Sequence, residues 1–293
     1  SIAQIASLNW VIPKDTNKTL TVKGLVNTVG DGADTGANVF VHVLNTGFKA
    51  NGVSSQDYGI DGASGSRKVV YKSRPKISAV SPQYASGDST LSTTPTIKSL
   101  RFRVEADANN SISWRQAQFQ VTLTNATMAA GSTTNVTLTK ISTGSSLTLS
   151  TVLSGTGVAS TTSAAVRADE NGGTGYVGIV LTTPENIGAG SSQDYDLALT
   201  FSQLVGATAH DSQAVVRLYR QETTPVGTTW YIGIATVVDT AGTSEIDADM
   251  SPSFIWSDQS VLGTFNATTT ADWANGVYVQ PLSFTDVMNT LRD

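Results

Sequence analysis

Alternation of apolar and polar residues, one for one, is the feature of this chain that most limits what it can fold into. It runs through "LTVKGLV", "VFVHVL", "RKVVYKS", "SLRFRVEAD", "AQFQVTLTN", "NVTLTKI", "SLTLSTVL", "GYVGIVLT", "DYDLALTF", "AVVRLYRQ" and "WYIGIATVV". In an extended chain successive side chains point to opposite faces, so this period of two describes strands with one face buried and one exposed. Between the runs lie clusters such as "GDGADTGAN", "TNATMAAGSTTN", "ADENGGTG" and "ENIGAGSSQ". Their Gly, Asn, Asp and Ser suit tight turns. A helical period is nearly missing; only the terminal "SFTDVMNTLRD" offers a cap-like Ser283 or Thr285 before spaced apolar residues, and it reads equally as a frayed tail. Many short strands with frequent turns predict an all-β fold of tandem antiparallel β-sandwich domains, Ig-like or jelly-roll-like, with little helix.

The 293 residues exceed a usual single domain. Apolar residues at 39% can fill real cores, while charged residues fall to 14% and give way to Ser, Thr, Gly and Asn. The clearest boundary is "YKSRPKISAVSP", where Pro75 and Pro82 flank a short apolar stretch. Proline has no N–H to give a central ladder, so this stretch reads as a crossing between domains or an edge strand. The expected division is a small or incomplete sandwich at 1–73, a main sandwich at 74–258, and a tail or interface segment at 259–293.

One pattern occurs twice. Residues 18–44, "KTLTVKGLVNTVGDGADTGANVFVHVL", lie over 193–219, "QDYDLALTFSQLVGATAHDSQAVVRLY", with their apolar positions in step. Leu20 falls on Tyr195, Val22 on Leu197, Val26 on Phe201, Val41 on Val216 and Val43 on Leu218. Both pieces read as hairpins. The second follows other strands of its domain, whereas the first has few residues before it. The first domain is therefore expected to be small in itself, completed by a strand from a neighbouring subunit, or part of a longer tandem array.

The composition removes several functional classes. A net charge of −5 and scattered Lys and Arg do not make the basic face that nucleic acid requires. No apolar run reaches the roughly 18 residues of a membrane helix. The chain has no cysteine, which removes disulfides, thiolate metal sites and cysteine nucleophiles. Its two histidines, His42 and His210, sit in a strand-like run and a turn, without a G-x-S-x-G nucleophile turn. The Asp-Thr-Gly at 34–36 and the "VVDTAGTS" at 237–244 have the outline of aspartic protease loops. The first lacks the preceding apolar pair and the second has Ala in place of Gly, so the expectation is no enzyme.

Loop carboxylates are the remaining candidates for chemistry. Asp31 and Asp34, Asp57 and Asp61, and Glu245, Asp247 and Asp249 could offer the hard oxygen ligands that calcium prefers, although none has EF-hand spacing. Calcium is thus the one cofactor considered, and none is required. Trp10, Trp114, Trp230, Trp256 and Trp273 could form a sugar-binding platform, but large rings more often fill cores or interfaces. Ile2, Ile5, Leu8, Trp10 and Val11 at one end, and Trp273, Tyr278, Leu282 and Phe284 at the other, are read as interface residues.

Two stretches near the end, "FIWSDQSV" at 254–261 and "DWANGVYVQPL" at 272–282, together with "VVYKSRPKISAVSP" and the "SLRFRVEADANNSISWRQAQFQV" beyond it, carry a resemblance. They resemble large β-sandwich cell-surface proteins, S-layer-like or filament-forming, of candidate-phylum bacteria. The chain departs from that pattern in having Val277 before Tyr278 and in its short first domain. The resemblance implies an extracellular β-rich surface protein and assigns no catalytic residue. The expected function is an extracellular structural subunit that self-assembles into a filament or lattice on the cell surface, with itself as partner. The alternatives are an adhesin or carbohydrate-binding module with glycans as partners, and a viral or phage structural protein.

Overall fold

The structure, a computed structural model, describes residues 11–19, 21–33, 35, 38–39, 41–42, 50–51, 56–57, 68–81, 83, 96–156, 163–203, 212–219, 254–260, 273–274 and 288–292. The chain divides into two compact units, 1–70 and 71–293.

In the first unit the ladders are short. Strand β1 (Asn38–Val39) pairs antiparallel with β4 (Lys68–Val69), and β2 (Ala50–Asn51) pairs with β3 (Gln56–Asp57). A tight turn precedes β1. Thr28 accepts hydrogen bonds from the backbone N–H of Asp31 (3.0 Å) and Ala33 (3.3 Å). Gly30 (φ 96°) and Gly32 (φ 103°) take the left-handed conformations that this turn requires. The run "LTVKGLV", expected as a strand, is not one in the described residues. Residues 21–28 carry no strand and all are exposed, Leu25 at 99%. Alternation specifies a surface fit for pairing, but a strand also needs a neighbour to take its N–H and C=O groups.

The second unit is an antiparallel β-sandwich. One sheet contains β5 (Pro75–Ala79), β6 (Thr96–Ala106), β8 (Ala126–Met128), β9 (Val136–Lys140), β10 (Ser145–Ser146), β12 (Val166–Ala168) and β14 (Ser192–Gln203). Its order is β10-β9-β14-β6-β5, with β8 joining β14 to β12. The other contains β7 (Ile112–Thr124), β11 (Leu149–Gly155), β13 (Gly173–Ile187), β15 (Gln213–Leu218), β16 (Phe254–Ser257), β17 (Trp273–Ala274) and β18 (Met288–Arg292). Its order is β11-β13-β7-β15-β18, with β16 pairing β7 and β17. There is no helix among the described residues. The terminal segment whose cap residues suggested a helix instead ends in β18, because Leu291 is buried opposite Ala214 while its neighbours Thr290 and Arg292 face out.

The core lies between the two sheets. Leu100, Phe102 and Val104 of β6 and Tyr195, Leu197, Leu199 and Phe201 of β14 meet Phe119, Val121 and Leu123 of β7 and Val177 and Ile179 of β13. Exposed or half-buried residues alternate with many of them, as period two demands, although Ser99, Gln118, Gly178, Val180 and Asp196 between or beside them are also buried. Along β7 the phase jumps: Ala117, Phe119, Val121 and Leu123 face inward, but so do Trp114 and Ile112. The ladders explain this, since β16 places Ile255 opposite Gln116 and Trp256 opposite Trp114, leaving Arg115 as an extra residue. Such a bulge turns the strand over and returns an aromatic ring to the core. On the far side β13 absorbs the same step between Val180 and Glu185, where Pro184 needs no ladder partner.

The hairpin reading of 193–219 is corrected. Strand β14 lies between β6 and β9 in one sheet, whereas β15 pairs with β7 and β18 in the other, so the two strands do not form a hairpin. Residue alternation reports which face is buried and says nothing of which sheet receives the next strand.

Candidate functional site

The most elaborate polar structure gathers around the end of β7, where β13, β14 and β16 bring side chains from distant parts of the sequence together. Tyr195 is fully buried in the core, stacked near Phe102 (centroids 5.5 Å apart) and edge-on to Trp114 (5.2 Å). Trp114 in turn stacks on Phe254 at 5.3 Å. The Trp114 indole N–H donates to the Tyr195 hydroxyl (3.2 Å), which donates to Glu185 Oε2 (3.1 Å). Lys140 Nζ donates to the same oxygen at 2.8 Å. A relay thus leads from the apolar centre to a half-buried ion pair. Burial holds the Tyr195 phenol well above its ordinary pKa, and the negative charge of Glu185 adds to this. Tyr195 therefore remains a hydrogen-bond donor, and Glu185 is held by two donors on one oxygen.

Beside it stands a second cluster built on the "WSDQ" of 256–259. Asp258 is completely buried. Its carboxylate accepts from the backbone N–H of Lys72 (2.8 Å) and of Ser260 (3.0 Å). Its carbonyl accepts from Asn110 Nδ2 (3.0 Å), whose own carbonyl accepts from Ser73 Oγ (2.6 Å). Gln259, in a left-handed conformation (φ 53°), donates from Nε2 to Ser113 Oγ (2.6 Å) and Asn186 Oδ1 (2.9 Å). It accepts from Ser111 Oγ (2.6 Å), and Ser113 also donates to Asn186. Tyr71 packs against Trp256 with ring centroids 5.0 Å apart. This motif ties residues 72–73 ahead of β5, the β6–β7 connection and β13 into one corner of the sandwich.

On the outer face of the first sheet, Arg101 grips Asp196 through Nε (2.7 Å) and Nη2 (3.0 Å), and Arg103 grips Asp194 likewise (2.6 and 2.9 Å). Hydrogen bonding to Asp194 raises the pKa of Arg103, whereas burial lowers that of Arg115. The Gln83 side chain extends β5 in effect, accepting from the N–H of Arg101 (2.7 Å) and donating to its carbonyl (2.9 Å).

The residues singled out from sequence are only partly placed. Asp31 is exposed and accepts from Thr28 Oγ1 (2.9 Å), so it braces its own turn. Asp57 lies in β3, and its side chain is outside the described residues, as are Asp34, Asp61, Glu245, Asp247 and Asp249. Among the described residues no three His, Cys, Asp or Glu side chains converge as metal ligands. Val11 is 70% exposed; Ile2, Ile5, Leu8, Trp10, Tyr278, Leu282 and Phe284 lie outside the described residues, and Trp273 is placed only by its backbone in β17. Trp114 and Trp256 are wholly buried, so neither presents a ring to a sugar. The sequence reading missed Lys140, Glu185 and Asp258 as partners; only the quoted "FIWSDQSV" pointed to this corner.

The chain matches no family model and no curated protein. Among the described residues no helix is long and apolar enough to cross a membrane.

Proposed function

We propose that the chain is an extracellular structural subunit that self-assembles into a filament or lattice through β-strand contacts between copies. The observation that carries this reading is the contrast between the two units at positions that share one sequence pattern. Val22, Val26 and Val41 are 49%, 43% and 41% exposed, while the matching Leu197, Phe201 and Val216 are 0%, 3% and 0% exposed. A side chain of this kind gains about 1.5–3 kcal/mol on full burial, so three such positions favour a partner that covers them. The polar clusters of the second unit support the same reading, because most of their donors and acceptors, Trp256 Nε1 and Ser260 Oγ apart, are spent on one another and on the backbone. A body so braced suits a load-bearing module.

The test is negative-stain electron microscopy of the purified chain over a range of concentrations, with calcium and then with a chelator. Ordered fibres or sheets are expected, and their loss on chelation would put calcium at the contacts. Uniform monomers in every condition would overturn self-assembly and turn attention to glycan binding.

A further inference from the structure

Resting on that reading, the structure also points to the particular strands that meet. We propose that residues 21–26 of one copy add as a strand to the outer edge of β5, the side away from β6, in a second copy. The donor is identified by correspondence within the chain. Residues 20–26 match 195–201 of β14, a strand flanked on both sides by β6 and β9. The correspondence continues beyond the pattern of apolar residues. Asn38 and Val39 match Gln213 and Ala214, and each pair lies antiparallel to a later strand: Asn38 opposite Val69 and Val39 opposite Lys68, Gln213 opposite Arg292 and Ala214 opposite Leu291. The two-residue β1–β4 ladder thus stands at the positions that correspond to part of the β15–β18 ladder. In the described residues the first unit has no strand in the place of β6 beside 21–28.

The acceptor follows from the strands of the second unit with one pairing partner; off the two sheet paths, β12 and β17 have three and two residues, which leaves the four strands that end the paths. Strand β10 has only two residues. The carbonyls of Val152 and Ser154 on β11 already accept from Ser163 Oγ (2.9 Å) and the Ala164 N–H (2.8 Å). Strand β18 is closed onto the opposite sheet, with Asn289 Nδ2 donating to the Ser99 carbonyl at 3.0 Å. This leaves β5, five residues long, paired with β6 on one side only among the described residues. Its one proline, Pro75, stands at the first position, so the N–H groups from Lys76 to Ala79 include those that a new neighbour would need. Strand addition at an exposed edge supplies main-chain hydrogen bonds, and alternate side chains set the register.

The absence of cysteine makes disulfide trapping clean. Full-length Val22→Cys and Ala79→Cys, both on the inward phase of their segments, are mixed and oxidised mildly, with Thr143→Cys as an exposed control in place of Ala79→Cys. The expected result is a disulfide-linked heterodimer several-fold above the control, lost when Lys23→Pro is added to the Val22→Cys chain. Assembly seen by microscopy with cross-linking at the control level would overturn this pairing and leave self-assembly standing. Preferential Val22–Val22 homodimers would overturn it in favour of like-with-like pairing of the donor segment. Neither cross-linking nor assembly would overturn both.

Discussion

Replacing Tyr195 with phenylalanine tests whether the buried relay holds the sandwich together. The ring keeps its place against Phe102 and Trp114, so the change is confined to one hydroxyl. Its loss strands the Trp114 indole N–H at a fully buried site, which costs about 1–3 kcal/mol. Glu185 loses one of two donors but keeps Lys140, adding under about 1 kcal/mol. A total of about 2–3 kcal/mol corresponds to a fall in Tm of about 4–12 °C for a unit of this size. Guanidinium titration followed by tryptophan fluorescence measures it, and the Tyr195→Phe/Trp114→Phe double variant completes a cycle. Removing both partners should cost clearly less than the sum, since no orphan remains. A Tyr195→Phe chain within about 0.5 kcal/mol of the parent would refute the reasoning, because an unsatisfied buried donor cannot cost so little.

Three further outcomes follow from the same geometry. Below about pH 10 Tyr195 keeps its proton in both folded and unfolded chains. Above it only the unfolded chain gives the proton up, so stability falls as pH rises from there toward the raised folded value, and alkaline denaturation curves should be shallower for Tyr195→Phe. Asp258→Ala removes the acceptor for two backbone N–H groups and should cost about 2–4 kcal/mol by the same titration, with Asp258→Asn recovering part. Gly175→Ala brings a Cβ within 2.6 Å of Val166 Cγ2 and should lower stability by about 1–3 kcal/mol, recovered in part by Val166→Ala.

The strands that were legible from sequence are those whose neighbours lie in the same unit. "SLRFRVEAD" and "DYDLALTF" became β6 and β14 because alternation and burial agree along most of their length, apart from Asp196, buried in its pair with Arg101, and the extra Ser99, whose hydroxyl accepts from the Leu199 N–H. The change of sheet between β14 and β15 was not legible, since a turn-rich sequence serves a hairpin and a sheet crossing equally. The phase jump at Arg115 was in plain sight in "SWRQAQF", but a bulge is recognisable only when its partner strand is known. The polar corner was hidden for another reason: Asp258 acts through Lys72 and Asn110, far away in the chain, and no local spacing records such a meeting.

The central claim is that residues 21–26 form a strand between copies and not within one. Hydrogen–deuterium exchange on the full chain, across concentrations that span assembly, measures this directly. The account predicts fast exchange at 21–26 in dilute protein and slow exchange once copies associate, with 195–201 protected throughout. Protection of 21–26 in the dilute monomer, or fast exchange there in assembled protein, would contradict it.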